Sequence, residues 1–424
     1  MNVAYLDPAY SRHFHDLAAS VASRSGGRSV ALLSSPAYRQ YTQGDRSFVW
    51  PPGRSARRYD WPAEFERAEW AALRDPDAAA VFSHAVEWFI ERFTQERVEL
   101  CLVFSDARPF SVAARLAAQE LGVVCLYFER GAFRFATSSL STHGLNARFS
   151  LDRARTSGGI DGMPANASLL RRPTEPWLRT RFAMVLARNA LARLGSPERD
   201  LIQHKRYSLR RYLRLAWSQF QTEHHHRRAD AEEVDDLAGR PLVIVPLQLP
   251  SDSQFVLYSP FATNQALIDF VAEQVRAEAP DAVLLFKRHP MDASHDRLPA
   301  GARWVGGNLA RFDKARPIVV CINSTVGFES LVRGMRVICF GPSFYADNAM
   351  LVRATKASFG DDLRRALARD VDPAAGDRLR ADVLRWCQAP GDAWAYTPAD
   401  IEATAGIVLQ HLHAAREQRN GASE

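Results

Sequence analysis

Short apolar segments alternate with polar loops and amphipathic segments over residues 241–342. The apolar runs have the length of buried strands, and they cover residues 243–247, 283–286, 318–322 and 337–340. Between the first two runs, residues 265–278 have helical spacing, with Leu267, Val271 and Val275 on one face. Buried strands that alternate with helices predict a parallel sheet covered on both faces.

The first third of the chain repeats this alternation. The predicted strands are 3–6, 29–33, 100–104 and 123–128, and the predicted helices are 11–25, 63–74, 78–97 and 111–121. Residues 35–62 are expected to be irregular. No G-x-G-x-x-G follows the first strand, so the dinucleotide-binding fingerprint is absent. Polar residues follow the strands in both halves, which implies a cleft between two α/β domains because ligands bind at that edge of such sheets.

We therefore predict an α/β protein in which two Rossmann-like domains face each other across a cleft, with a helical C-terminal tail. A chain of 424 residues is long enough for two or three domains of ordinary size. We place the N-terminal domain at 1–235 and the second domain at 236–345. The tail, 346–424, is expected to pack back on both domains, with helices predicted at 358–369, 377–388 and 398–418.

Charge is concentrated in one part of the chain. The net charge is +6, but residues 171–228 alone hold 14 Lys and Arg against 4 Asp and Glu, or +10. Helical stretches are predicted at 177–194 and 208–228, where aromatic residues interleave with the basic ones. Such segments can lie on an anionic membrane surface or remain as a solvated helix over the core. No RNA- or DNA-binding pattern is present, so a nucleic-acid partner is not expected.

Several classes of protein are disfavoured by the remaining composition. The five cysteines are scattered and mostly lie in apolar runs, which indicates reduced core thiols rather than disulfides or a zinc site. Three consecutive histidines at 224–226 cannot all point one way, so we interpret them as surface residues and expect no metal. No apolar run approaches the ~18 residues of a membrane span. The N-terminal residues lack a signal-peptide pattern, and we expect a cytoplasmic protein.

Candidate chemistry lies where the strands of the second half end. The carboxyl ends of parallel strands share one edge of the sheet, so the residues that follow them should converge. These residues are Asp252, Lys287, Arg288, His289, Ser324 and Thr325. Because alternate residues of an extended chain face opposite sides, Lys287 and His289 should share the ligand side, and Arg288 should be structural.

Each candidate has a structural alternative. Ser324 and Thr325 begin a helix, where they could bind phosphate or where Ser324 could simply cap the helix. Asp252 could be a nucleophile or base, or it could cap a turn beside Pro250, and the residues alone leave these evenly balanced. Glu129 could deprotonate an acceptor hydroxyl or form a surface pair with Arg130.

Five motifs in order give the chain a family resemblance over roughly residues 95–350. They are Ser105–Pro109, Phe128–Gly131 with Arg134 and Gly144–Asn146, Pro246–Gln254, Lys287–Pro290 and Asn323–Gly327. This set resembles bacterial capsule polysaccharide biosynthesis and export proteins. Members include β-glycosyltransferases that move 3-deoxy-manno-octulosonic acid (Kdo) from CMP-Kdo to a lipid-linked acceptor.

The resemblance implies a metal-free and cofactor-free glycosyltransferase of GT-B type, with net retention at the transferred sugar. The roles that it implies are catalytic for Asp252, Glu129 and His289, donor-binding for Lys287, Asn323, Ser324, Thr325, Gln248 and Ser253, and acceptor-binding for Asp106, Arg108, Arg134 and Asn146. The second domain would bind the nucleotide sugar, and the first would bind the acceptor. The expected partners are a CMP-sugar, an anionic lipid or glycolipid, the inner-membrane surface through 171–228, and other capsule-assembly proteins.

The chain departs from the family pattern at three places. Arg130 stands where a second glutamate is common, Phe135 replaces a proline, and Thr142-His143 fill a space that often holds an acidic residue. The departures do not involve Asp252 or His289. Two other hypotheses remain open from the sequence, namely a non-catalytic export or scaffold protein and a transferase or epimerase that uses a UDP-sugar.

Overall fold

The computed structural model of the chain divides into two compact units. It describes residues 1–8, 10–42, 46–60, 76–156, 162–164, 167, 169, 178–194, 196, 198–202, 239–289, 292, 294, 296–345, 350–372 and 374–421. For these residues, the first unit comprises Met1–Leu145, Arg153–Arg206 and Ala381–Glu424. The second unit comprises Asn146–Asp152 and Tyr207–Arg380.

The secondary structure alternates along the chain as the apolar pattern predicts. The strands are β1 Asn2–Leu6, β2 Ser29–Leu33, β3 Arg46–Val49, β4 Val98–Phe104, β5 Val124–Arg130, β6 Thr137–Ser141, β7 Leu242–Pro246, β8 Val283–Lys287, β9 Ala302–Trp304, β10 Ile318–Cys321, β11 Arg336–Cys339, β12 Leu351–Arg353 and β13 Gln388–Pro390. The α-helices are α1 His13–Arg24, α2 Pro76–Gln95, α3 Pro109–Leu121, α4 Leu151–Thr156, α5 Leu178–Leu194, α6 Arg199–Ile202, α7 Ser253–Tyr258, α8 Asn264–Glu278, α9 Thr325–Val332, α10 Phe359–Ala368, α11 Ala375–Cys387 and α12 Pro398–Gly421. Three 3₁₀ helices cover Pro36–Tyr41, Asn146–Arg148 and Leu309–Ala315.

The first unit is built on a seven-stranded sheet in the order β13-β6-β5-β4-β1-β2-β3. Strands β1 to β5 are parallel, whereas β6 pairs antiparallel with β5 and with β13. One face of the sheet packs against α1 and the C-terminal α12, and the other packs against α2 and α3. Both faces are therefore buried, which explains why the central strands are continuous apolar runs.

The second unit contains a six-stranded sheet in the order β12-β11-β10-β7-β8-β9, and all its pairs are parallel. Strand β7 lies between β10 and β8, and all five of its residues are buried. The helix α8 packs Leu267, Val271 and Val275 into the core of this unit, as the helical spacing predicts. The carboxyl ends of β10, β7 and β8 are thus neighbours along one edge.

The predicted fold class is confirmed, since each unit is α/β with a largely parallel sheet and the C-terminal segment is mainly helical. The predicted tail spans both units, because 346–380 belongs to the second unit and 381–424 to the first. The predicted helix 63–74 and the predicted helix 208–228 lie outside the described residues. No helix in the described part of the chain is long and apolar enough to cross a membrane.

The sequence analysis missed five strands, and one of them corrects a predicted helix. Residues 35–62 were expected to be irregular, but they contain β3. The predicted helix 377–388 ends one residue earlier, and Gln388 instead begins β13. The other missed strands are β6, β9 and β12.

A buried carboxylate fixes the C-terminal segment to the first unit. Asp392 is fully buried and accepts hydrogen bonds from the Arg130 Nε at 3.0 Å, the Phe135 backbone N–H at 3.2 Å and the Trp394 backbone N–H at 2.6 Å. The Arg130 guanidinium lies over the rings of Phe135 and Trp394, at 4.8 and 4.1 Å from their centroids. Arg130 and Phe135, two of the departures from the family pattern, therefore belong to one packed cluster. The ion-pair partner of Arg130 in this cluster is Asp392, whereas the sequence analysis suggested a surface pair with Glu129.

Replacing this carboxylate should destabilise the first unit strongly. Asp392→Ala leaves the partly buried Arg130 without its partner and two backbone N–H groups without an acceptor, so we expect a loss of about 3–5 kcal/mol. Glu99→Gln is the control, because Glu99 pairs with Arg416 at the surface and should cost less than about 1 kcal/mol. Urea unfolding followed by circular dichroism measures both. Equal midpoints for the two variants would show that Asp392 does not hold the segment.

Candidate functional site

The loops that follow β7 and β10 are joined by side-chain amides. The Gln248 Nε2 donates to the Asn323 Oδ1 at 3.2 Å, and the Asn323 backbone N–H donates back to the Gln248 Oε1 at 3.4 Å. The Asn323 Nδ2 also donates to the Gln254 Oε1 at 3.3 Å, and the Asn264 Nδ2 donates to the Gln248 carbonyl at 2.9 Å. Gln248 and Asn323 are both 7% exposed. This network holds two strand ends at a fixed separation.

Asp252 lies at the start of α7 and caps it. Its Oδ1 accepts a hydrogen bond from the Gln254 backbone N–H at 2.9 Å. Asp252 therefore has a capping role, which the sequence analysis gave as its structural alternative. The same contact holds the carboxylate next to Gln254, whose side-chain oxygen accepts a hydrogen bond from Asn323. Asp252 is half-buried and lies at the carboxyl edge of the sheet.

Ser324 likewise caps α9, since its Oγ accepts from the Val326 backbone N–H at 3.0 Å. Its carbonyl accepts a hydrogen bond from the Tyr345 hydroxyl at 2.6 Å. A Cβ at Gly327 would lie 2.4 Å from that hydroxyl, so glycine is required there for the tyrosine to reach the start of the helix. Tyr345 is a positioning residue that the sequence did not single out. Thr325 begins α9 and is half-buried.

Three basic residues lie at the end of β8, and the structure gives the contacts of two of them, Arg288 and Lys287. Arg288 donates to the carbonyls of Ser294 at 2.7 Å and Asp296 at 2.8 Å, and its guanidinium lies 4.1 Å from the centroid of the Trp304 ring. It is therefore structural. Lys287 donates to the Gly307 carbonyl, in the loop after β9. His289 is half-buried and follows directly at the same sheet edge.

The acceptor-side candidates lie at different depths. Asp106, 5% exposed, accepts from the Leu145 backbone N–H at 3.0 Å and so holds the segment before Asn146. Glu129 is half-buried on β5, opposite Ser139 of β6, and Arg134 is exposed. Asn146 has a positive φ of 49° and belongs to the second unit, whereas the other three belong to the first.

A carboxylate that the sequence analysis passed over follows β1. Asp7 accepts from the Ser34 backbone N–H at 2.7 Å and from the Ser34 Oγ at 2.5 Å, while Arg199 donates to the Ser34 carbonyl at 2.6 Å. Burial raises the pKa of Asp7 to about 6, against the lowering effect of Ser34, Arg108 and Arg199. The rule applied to the other strands, that polar residues after a strand face the site, would have found Asp7 after Leu6.

No group of three or more His, Cys, Asp or Glu that could hold a metal ion is present among the residues that the structure describes. The carboxylates at the two sheet edges are instead engaged with hydroxyl and N–H groups. The prediction of metal-independent chemistry remains a prediction.

The family model described as capsule polysaccharide biosynthesis protein matches residues 99–366, more than half of the chain. The chain belongs to this family. The chain is 26% identical over 297 residues to the capsule polysaccharide modification protein LipB of Neisseria meningitidis serogroup B, and the match covers 64% of this chain and 70% of LipB. Protein FixF of Sinorhizobium fredii is 31% identical over 132 residues, which cover 29% of this chain and 30% of FixF.

A solved structure with a similar chain is a β-Kdo 2,7-transferase, KpsC of Thermosulfurimonas dismutans. It is 17% identical, covers 70% of this chain and 80% of its own, and has a TM-score of 0.35. A likeness at that score carries no argument about function. The family match itself covers the residues of the second-unit site and Asp106, Arg108 and Glu129, but it does not reach Asp7.

The raised pKa of Asp7 should make the stability of this protein depend on pH. As pH rises from about 4 to above 6, the unfolded chain loses its Asp7 proton first, so the folded state is progressively destabilised, by roughly 1–3 kcal/mol in total. Asp7→Asn removes this loss, so the variant should gain stability relative to the wild type between pH 4 and pH 8. Chemical unfolding at each pH measures the difference.

A second variant tests the cause of this behaviour. The Ser34 hydroxyl lowers the Asp7 pKa, so Ser34→Ala should extend the loss of stability to higher pH. A stability difference between Asp7→Asn and the wild type that does not change with pH would contradict the assignment.

Proposed function

We propose that this protein is a glycosyltransferase of capsule polysaccharide and glycolipid assembly, which transfers Kdo from CMP-Kdo to a lipid-linked acceptor with retention. The observation that carries the proposal is the amide network of Gln248, Gln254 and Asn323, since it places Asp252 and the start of α9 at one edge of the second sheet. Membership of the capsule polysaccharide biosynthesis family supports the pathway. The donor and the stereochemistry come from the motif resemblance and are part of the proposal.

The start of α9 suits the donor phosphate. Backbone N–H groups at a helix N-terminus and the helix dipole stabilise an anion, and the hydroxyls of Ser324 and Thr325 add hydrogen-bond donors there. Tyr345 holds the Ser324 carbonyl and so fixes the orientation of this helix start. In the proposal, Gln248, Ser253 and Asn323 orient the donor, and no metal ion is required because Lys287 and His289 supply positive charge at the adjacent strand end.

The proposed reaction has two displacements. An Asp252 carboxylate oxygen forms a bond to the anomeric carbon of Kdo, while the bond from that carbon to the CMP oxygen breaks and CMP leaves with the electron pair. His289 donates a hydrogen bond or a proton to the departing phosphate. An acceptor hydroxyl then attacks the same carbon and releases Asp252, and a general base takes the hydroxyl proton, a role that the motif resemblance gives to Glu129. Two inversions give net retention, and a carboxylate also stabilises the oxocarbenium-like transition states.

The cap contact helps the nucleophile. The Asp252 Oδ1 already accepts a backbone N–H, which orients the carboxylate without additional side-chain ordering on substrate binding. The substrate also carries a carboxylate, which would raise the pKa of Asp252 by like-charge repulsion. Lys287 and His289, at the end of β8, would offset that repulsion.

The proposed place of action is the inner-membrane surface. Helix α5 exposes Met184, Leu191 and Leu194, by 43%, 66% and 84%, on a helix that also carries several arginines. Apolar and basic side chains together on an exposed helix support contact with an anionic lipid surface. Residues 171–177 and 203–228 of the basic segment lie outside the described residues.

Replacing Asp252 by asparagine separates its two roles. Asparagine caps a helix about as well as aspartate, so the thermal stability of Asp252→Asn should stay close to that of the wild type. It cannot act as the nucleophile, so Kdo transfer should fall by about 1000-fold or more. Mass spectrometry of wild-type and variant reactions with CMP-Kdo and a panel of lipid acceptors measures the transfer.

Asp313→Asn is the matched control, because Asp313 pairs with Arg333 at the surface of the same unit and should leave transfer unchanged. Wild-type rates from Asp252→Asn would reject the nucleophile. Absence of transfer by the wild type with every lipid acceptor would favour a non-catalytic protein of the capsule machinery.

A further inference from the structure

Helix α7, which Asp252 caps, depends on its neighbours for its position. It has six residues, Ser253–Tyr258. A helix of that length, about 9 Å, is too short to be stable alone in water. Phe255 and Leu257 are its buried side chains, and Phe255 belongs to the hydrophobic core of the second unit. The contacts at the two ends of α7 therefore help to decide where the Asp252 carboxylate lies.

The two ends of α7 contact different loops of the second unit. At its start, the Gln254 Oε1 accepts a hydrogen bond from the Asn323 Nδ2 at 3.3 Å. At its end, a Cβ on Gly341 would lie 3.2 Å from the Tyr258 carbonyl oxygen, so α7 ends close against the loop that follows β11. The Tyr258 hydroxyl accepts a hydrogen bond from the Arg148 Nε at 3.3 Å. Arg148 thus contacts the end of the helix that is opposite to the cap.

Arg148 lies in a segment that enters the second unit from the first. The chain passes between the units at Leu145 and Asn146, and the Leu145 backbone N–H donates to Asp106 in the first unit at 3.0 Å. Asn146 has a φ of 49°, a left-handed conformation that asparagine adopts more readily than most residues. Its carbonyl accepts from the Phe149 backbone N–H at 3.2 Å. The 3₁₀ helix that begins at Asn146 therefore has a defined start, and it packs on α7.

We propose that Arg148 is a positioning residue for the Asp252 carboxylate. Arg148 holds the Tyr258 hydroxyl and so fixes the far end of α7. Because so short a helix moves as one rigid piece, the cap at its other end is fixed as well. This inference rests on the proposed function, since Arg148 acts through the proposed nucleophile and not through a contact with either substrate.

Loss of this contact should affect the rate of transfer more than the binding of the donor. A nucleophile has to lie within about 3–3.5 Å of the carbon that it attacks, and a displacement of about 1 Å can cost about 100-fold in rate. The proposed contacts of the donor phosphate are at the start of α9, which Tyr345 holds through the Ser324 carbonyl. Donor binding therefore depends on a different support from the one that positions Asp252.

Steady-state kinetics of Kdo transfer by the full chain test the proposal with Tyr258→Phe and Arg148→Gln. Each should lower kcat by about 10-fold or more, while the KM for the CMP-sugar should stay within about 3-fold of the wild type. The double variant should lose no more than the more affected single variant, because both substitutions break the same hydrogen bond. Arg148→Lys retains a donor for the hydroxyl and should recover part of kcat.

Two matched controls remove similar contacts elsewhere. Tyr396 donates its hydroxyl to the Asp16 carboxylate at 2.9 Å in the first unit, so Tyr396→Phe deletes a comparable hydrogen bond away from α7. Arg364 pairs with Asp361 at the surface of the second unit, so Arg364→Gln deletes a comparable guanidinium. Both variants should keep the wild-type kcat.

Hydrogen–deuterium exchange over residues 253–259 measures the hold on α7 without the reaction. Exchange should be faster in Tyr258→Phe and Arg148→Gln than in the controls, because the end of the helix is released. Wild-type kcat in both variants, a raised KM with unchanged kcat, additive losses in the double variant, or unchanged exchange over α7 would overturn the proposal. Absence of Kdo transfer by the wild type would reject the proposed function, whereas faster exchange in the two variants would still show that Arg148 holds α7.

Discussion

The pair of hydrogen bonds between Gln248 and Asn323 is the constraint on which the second-unit site depends. Both side chains are nearly buried, so an amide left without its partner would cost about 1–3 kcal/mol. An amide has a donor and an acceptor in fixed geometry, and the reciprocal pair therefore sets the orientation as well as the distance of the two loops. The helices α7 and α9 begin from these loops, so their starting points are set by the same pair.

The residues with proposed chemical roles in this unit also have structural ones. Asp252 and Ser324 cap α7 and α9, and Lys287 contacts the loop after β9. Capping and catalysis are compatible, because a carboxylate that is already ordered by a backbone N–H loses little further entropy when it meets a substrate. An alanine substitution at these positions would lower both the stability of the protein and its activity, and the two effects could not be separated. Isosteric replacements, which keep the cap, are therefore more informative.

The central strands could be predicted from sequence because burial on both faces makes them uninterrupted apolar runs. The edge strands could not, because β9, β12 and β13 are three residues long and their composition does not distinguish them from loops. Strand β13 exists through its pairing with β6, which lies about 250 residues earlier in the chain. Such distant pairing has no local signal.

The same limit applies to the sites. Strand-end polarity singled out Asp252, His289 and Ser324 as candidates, and alternation predicted the structural role that the contacts of Arg288 show. The partners of these residues depend on tertiary packing, as with Tyr345 at the start of α9 and Asp392 beneath Arg130. Asp7 could have been found from the sequence, because it directly follows a buried strand. Its raised pKa could not be predicted, because it depends on how deeply the folded chain buries the carboxylate.

Hydrogen–deuterium exchange with and without nucleotide tests the central claim most directly. If the second-unit strand ends form the donor site, CMP should slow amide exchange in residues 247–256 and 323–328, and UDP should do so less at equal concentration. Slower exchange confined to other regions, or no change with CMP, would contradict the assignment of this edge to the donor.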